Sequence, residues 1–187
     1  MDPNLEKKVQ DLVDRQEIRE VVVKYCRGMD REDRELALSA FHPDAIADYG
    51  NAVMHTSEFV DWANDFHRTM FKWQTIHTTT VTIDLDGDTA HVESYHIGMC
   101  EARTGPSMIS VGRYLDRMEK RNGRWAIATR VSIGESFFKI EVADIPEEFL
   151  KVVHSNGPFE RSKKDRSYDR PLEVKRPVRK ASSKMEI

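Results

Sequence analysis

A chain of 187 residues, 39% hydrophobic and 33% charged, is long enough for one domain with a real core plus extensions, and its composition is that of a soluble globular protein. The net charge of −3 is unevenly spread: residues 159–187 hold ten Lys/Arg against five Asp/Glu, a surplus that leaves −8 on residues 1–158. An acidic body argues against nucleic-acid binding. No apolar run is long enough to span a bilayer, and the N-terminus MDPNLEKKVQ lacks the apolar core of a signal peptide, so the expected compartment is the cytoplasm, with Cys26 and Cys100 reduced.

Residues 5–29 read as a helix, with Leu5, Val9, Leu12, Ile18, Val22, Tyr25 and Met29 at three- and four-residue steps. Asp30 extends the face of Val22 and Cys26. A second short helix is expected over 33–41, stopped by His42-Pro43, then a short strand over 45–49. Residues 57–71 are again helical, with Phe59, Val60, Trp62, Ala63, Phe66 and Met70 on one face and Thr56 or Ser57 as the cap. Four long strands follow, over 74–85, 89–102, 107–119 and 124–140, with turns at Asp86-Gly87-Asp88, Thr104-Gly105-Pro106 and Arg121-Asn122-Gly123. Helices first and antiparallel strands afterwards predict an α+β domain with helices packed on one face of a curved sheet. Residues 141–158, with Val142, Ile145, Phe149, Leu150 and Val152, are expected to pack on the body or on a neighbouring subunit. The division predicted is a domain over 1–158 and a basic tail over 159–187, flexible or ordered by a partner.

His77 and Asp30 are the first candidates for chemistry. Counting in twos from Val81, Ile83 and Leu85 puts His77 on their buried face. An imidazole can accept a proton near pH 7, and a carboxylate on its second nitrogen fixes the tautomer and supports the charge. A lone inward His is more often a satisfied core residue, and an Asp after a helix is more often a cap or solvated end. His96 shares parity with Ala90, Val92 and Ser94, so it faces either the same interior or a sheet edge. Tyr25, Tyr49 and Tyr114 are inward phenols, structural or donating to a substrate oxygen. Arg130 must be paired if buried; it either anchors an anion or pairs with a structural acid such as Glu135 or Asp48. With no Gly-rich phosphate loop, C-x-x-C or H-E-x-x-H, neither a metal nor an organic cofactor is expected.

The runs Lys24-Tyr25-Cys26-Arg27-Gly28-Met29-Asp30-Arg31-Glu32-Asp33, Phe41-His42-Pro43-Asp44-Ala45, Asp48-Tyr49-Gly50, Thr75-Ile76-His77 and Asn122-Gly123-Arg124-Trp125, in this order, resemble the SnoaL-like branch of the nuclear transport factor 2-like superfamily over roughly residues 8–140. The resemblance implies a cone-shaped α+β barrel: N-terminal helices packed on a strongly curved, mostly antiparallel sheet around a pocket. Scytalone dehydratase, hexachlorocyclohexane dehydrochlorinase and bile-acid 7α-dehydratase fit best within the branch, each with an Asp–His dyad at the positions of Asp30 and His77. The same resemblance suggests roles for Tyr25, Tyr49 and His96 on the leaving group and for Arg130 in the pocket. Gly112 and Tyr114 stand where scytalone dehydratase has its substrate-contacting Ser and Asn, and Tyr25 where the dehydrochlorinase has a lysine, so neither substrate carries over.

The expected function is a cofactor-independent lyase: a dehydratase or related elimination, with formaldehyde loss from lignin-derived aromatic dimers as one subclass of aromatic compound catabolism. Asp30, His77, Tyr49, His96 and Tyr25 are the expected catalytic residues, and Arg130, Tyr114, Trp73, Phe66 and Met99 the substrate contacts. An isomerase or cyclase with the same proton chemistry, or a non-catalytic binding module, are the alternatives. The partner is a small molecule, and the resemblance implies a homo-oligomer, a trimer by preference.

Overall fold

A computed structural model describes residues 2–157, 159–174 and 176–178. The first helix, α1 (Pro3–Asp30), is opened by Asp2, whose carboxylate accepts from the Asn4 N–H, with Pro3 in the first turn. Its apolar burial is confined to the second half, through Ile18, Val21, Val22, Tyr25 and Met29. Leu5, Val9 and Leu12 are exposed, so the apolar stripe read along the whole helix meets the core over half its length.

Helix α2 (Arg34–Ser39) is capped by the Asp33 carboxylate on the Leu36 N–H. It packs closely on α1 because residue 28 is glycine; a Cβ there would lie 2.4 Å from the Ala37 nitrogen. Phe41, expected at the end of this helix, instead opens strand β1 (Phe41–Asp48). The short β2 (Val53–His55) pairs antiparallel with it. Helix α3 (Thr56–Met70) runs directly into β3 (Phe71–Asp86), followed by β4 (Thr89–Ala102), β5 (Ser107–Arg121) and β6 (Arg124–Ile140).

The six strands form one sheet in the order β2-β1-β6-β5-β4-β3, antiparallel except for the β1–β6 pair. It is open rather than closed into a barrel, with β2 and β3 at its edges. Register shifts interrupt β3 between Phe71 and Trp73 and between Thr78 and Val81, and the β5–β6 ladder at Val111/Gly112 and Arg117/Met118. Such bulges bend and coil the strands that carry them. The core lies where α1 and α3 cover the inner face: Ile18, Val22, Tyr25, Phe59 and Val60 meet Ile83, Val92, Tyr114, Met118 and Ile127.

Of the two expectations for residues 141–157, packing on the body is not what the chain shows. Their helix, α4 (Glu147–Val153), buries no residue, and Val142 and Val152 are exposed. The start of the basic tail is instead docked on its own domain. Tyr168 donates to Asp33 at 2.8 Å, Arg161 pairs with Glu32 at 3.0 Å, and the Arg27 guanidinium lies 4.7 Å over the Tyr168 ring. The Phe159 ring lies against Trp73 and under the Arg31 guanidinium. Lys175 and residues 179–187 fall outside the described residues.

Candidate active site

A cavity of about 430 Å³ lies between α3 and the inner face of β3–β5. Eight of its 20 lining residues are Phe, Tyr or Trp, and none is Asp, Glu, Lys or Arg. An apolar hollow with a few convergent polar groups is the usual form of a small-molecule site. Tyr25, Tyr49, His96, Tyr114, Phe66 and Met99 all line it. Trp73 does not: its indole N–H donates to Glu101 at 2.9 Å and its ring faces Phe159.

The phenols form one array. The Tyr25 and Tyr49 hydroxyls are 2.8 Å apart, so one donates to the other. Tyr49 stacks on Phe59 at 4.0 Å, and His96 stacks on Tyr114 at 4.2 Å. Behind the Tyr25 and Tyr114 rings, at 4.1 and 4.2 Å, sits the Arg130 guanidinium, fully buried. It belongs to the wall and not the lining. Its partner is Asp116, through two hydrogen bonds of 2.7 Å, in place of the anticipated Glu135 or Asp48. Burial pushes all three tyrosine hydroxyls above their ordinary range, so they stay protonated donors at neutral pH.

His96 owes its room to one neighbour without a side chain. A Cβ on Gly112 would lie 3.0 Å from the imidazole Cε1, so glycine there makes room for the ring. Register places His96 opposite Gly112 on one side and Thr78 on the other. Its Nδ1 is buried without a hydrogen-bond partner. Burial, with the Arg130 charge adding to it, lowers its pKa to about 4, so the ring is neutral at pH 7 and holds a free lone pair.

Asp30 and His77 are neighbours but lie outside this cavity. Both line a separate shallow recess with Cys26, Arg27, Ile76 and Thr78. His77 is exposed, on the outward face opposite Ile97, and not on the buried face with Val81, Ile83 and Leu85. The reason is the β3 bulge: Thr78 pairs with His96 and Val81 with Ser94, so the two residues Thr79 and Thr80 stand opposite Tyr95 alone. The extra residue reverses parity, and the position aimed at the cavity is Ile76. No hydrogen bond or ion pair joins Asp30 to His77 among the described residues. Asp30 instead accepts from the Ile76 N–H at 2.9 Å and the Thr75 hydroxyl at 3.1 Å. Burial raises its pKa to about 6 against those two hydrogen bonds and the nearby charges of Arg31 and His77.

Some polar cavity residues escaped the sequence reading: His67 and Gln74, whose side chains are joined at 2.7 Å, Asn51 in the β1–β2 turn, and Ser110 on β5. The signal for the first pair was the α3–β3 junction without a loop, which folds residues seven apart onto each other. Among the described residues no cluster of His, Cys, Asp or Glu could hold a metal ion, and no helix is long and apolar enough to cross a membrane.

The fold recurs in solved structures. A hexachlorocyclohexane dehydrochlorinase (LinA type 2) superposes with a TM-score of 0.68 at 17% identity, over 74% of this chain and 97% of its own. A candidate scytalone dehydratase from Novosphingobium aromaticivorans gives 0.64 at 20%, over 73% and 93%. A protein of unknown function from Mycobacterium tuberculosis gives 0.59 at 24%, over 72% and 77%. At these identities the likeness carries the fold. No curated protein matches the chain. The model of the SnoaL-like domain matches residues 10–131, a span holding both the helical cover and most of the sheet, and the chain belongs to that family.

Proposed function

We propose that the chain is a cofactor-independent lyase that removes a proton from carbon and expels water or another small group from an apolar cyclic or aromatic substrate held in the aromatic cavity. One observation carries this reading: a neutral, half-buried imidazole, His96, with an unpartnered nitrogen, lines the same uncharged cavity as a hydrogen-bonded pair of protonated phenols. His96 accepts the proton. The Tyr25–Tyr49 pair donates to the departing or enolising oxygen, since only one of the two hydroxyl hydrogens is used between them. Arg130 and Asp116 stiffen the wall behind the phenols. The dehydrochlorinase and dehydratase among the structural relatives support a lyase by analogy of fold.

A second reading keeps the Asp30–His77 dyad as the base, in the recess on the other side of Ile76. It is favoured by the raised pKa of Asp30 and by its closeness to His77.

Screening aromatic β-hydroxy compounds for loss of water or formaldehyde by product mass tests the class, and a product of unchanged mass makes the enzyme an isomerase. His96→Ala against His77→Ala then separates the bases: loss of one base is expected to lower kcat by about 10²–10⁴-fold. A loss confined to His77→Ala transfers the chemistry to the recess.

A further inference from the structure

The cavity holds a second imidazole that the proposed chemistry does not use. His67 sits in the last turn of α3, and Gln74 is the fourth residue of β3. Because the chain passes from helix to strand without a loop, the two side chains meet, with the Gln74 amide nitrogen 2.7 Å from His67 Nδ1. An amide nitrogen has hydrogens to give and no lone pair to offer, so Nδ1 is the acceptor. A neutral ring whose Nδ1 accepts carries its proton on Nε2. Gln74 is itself 5% exposed, which fixes its amide, and the Phe66 and Phe71 rings pack together against the imidazole at 5.8 and 5.9 Å. Burial, reinforced by the Arg161 charge from the docked tail, lowers the pKa of His67 to about 4, in line with a neutral ring. Nε2 has no hydrogen-bond partner among the described residues.

We propose that His67, held by Gln74 as the Nε2–H tautomer, is the hydrogen-bond donor that orients the substrate, so the cavity selects an uncharged aromatic compound bearing an acceptor oxygen over the corresponding hydrocarbon. This rests on reading the cavity as the substrate site. The lining supports it twice. With no charged residue, it offers no counter-ion to an anionic or cationic ligand. A buried donor left without a partner disfavours a ligand that cannot accept from it.

The tautomer can be read without any substitution. A long-range proton–nitrogen correlation spectrum of the full-length, nitrogen-15-labelled protein at pH 7 is expected to show His67 protonated at Nε2, the peaks being assigned by their loss in His67→Phe. A ring protonated at Nδ1, or at both nitrogens, overturns the proposal. Binding of 1-tetralone and of tetralin, followed by quenching of tryptophan fluorescence, is expected to favour the ketone by about tenfold in the wild type. The preference is expected to fall to about twofold or less in His67→Phe and in Gln74→Glu, whose carboxylate accepts from Nδ1–H and so turns Nε2 into an acceptor. An unchanged preference in both variants, or no binding of either probe, refutes the donor role. If the preference responds to His67 while no hydroxy compound is turned over, the lyase reading falls and this inference stands.

Discussion

Asp116 and Arg130 face each other directly across β5 and β6, joined by two hydrogen bonds of 2.7 Å, with neither side chain exposed. Removing one member leaves the other charge buried and alone, which destabilises by about 3–5 kcal/mol. Asp116→Ala is therefore expected to lower the urea unfolding midpoint severely. An Arg130 whose main task was to bind an anionic substrate would give a different outcome: stability within about 0.5 kcal/mol of wild type and a raised KM. Equilibrium unfolding of the variant decides between them.

Gly28→Ala sets two effects against each other. Alanine in place of glycine inside a helix is worth about 1 kcal/mol in propensity. The new Cβ, however, would lie 2.4 Å from the Ala37 nitrogen and 2.6 Å from its Cα, and backbone atoms cannot rotate away as a side chain could. Overpacking costs about 1–3 kcal/mol, so the variant is expected to melt below wild type. Adding Ala37→Gly should restore little, because the tightest contacts are with backbone. A variant more stable than wild type would show that α1 and α2 can slide apart freely.

The order of elements was legible in the sequence because periods of 3.6 and 2 each ran for more than ten residues; β4 and β6 have the bounds read from pattern alone. What could not be read were the bulges. One extra residue at Thr79–Thr80 sends His77 outward and Ile76 inward, and another near Ala128 brings Arg130 opposite Asp116 rather than Leu115, one residue earlier in β5. A bulge in a threonine-rich strand carries no turn residue to mark it. His96 and Tyr114 were legible because the β4–β5 ladder has no register shift, and Tyr25 because it follows the helical period of α1.

The two readings of the base differ in their pH dependence. His96, lowered to about 4, is neutral over the whole range above pH 5, so kcat/KM is expected to be flat from pH 5 to 8 with an acid limb near 4. If Asp30 must be ionised, activity falls instead through about pH 6. Stability offers an independent check on Asp30. Its folded pKa is raised above the ordinary 3.8, so the protonated form is favoured by folding, and the associated stability, fully present below about pH 4, is lost as pH rises through 6. Asp30→Asn should thus gain on wild type between pH 4 and 7, by about 3 kcal/mol at most for a shift of this size. A stability difference that does not change across that interval would place the Asp30 pKa near its ordinary value.

The docked start of the tail reaches the cavity through one residue. Arg161 donates to the His67 carbonyl at 3.4 Å, pairs with Glu32, and lowers the His67 pKa together with burial. A chain ending at residue 157 loses these contacts along with the Tyr168–Asp33 bond and the Phe159–Trp73 packing. Ion pairs at a surface contribute about 0–1 kcal/mol each, and the core beneath is complete without the tail, so the shortened protein is expected to fold with a modestly lower melting temperature. With Arg161 gone, both influences that disfavour the His67 cation weaken, and its titration midpoint should move up from about 4 toward the ordinary 6.5. Imidazole titration followed by nuclear magnetic resonance in the full and shortened chains measures this directly. Identical His67 midpoints in the two would mean that Arg161 does not act on the ring, and that cavity burial alone keeps it neutral.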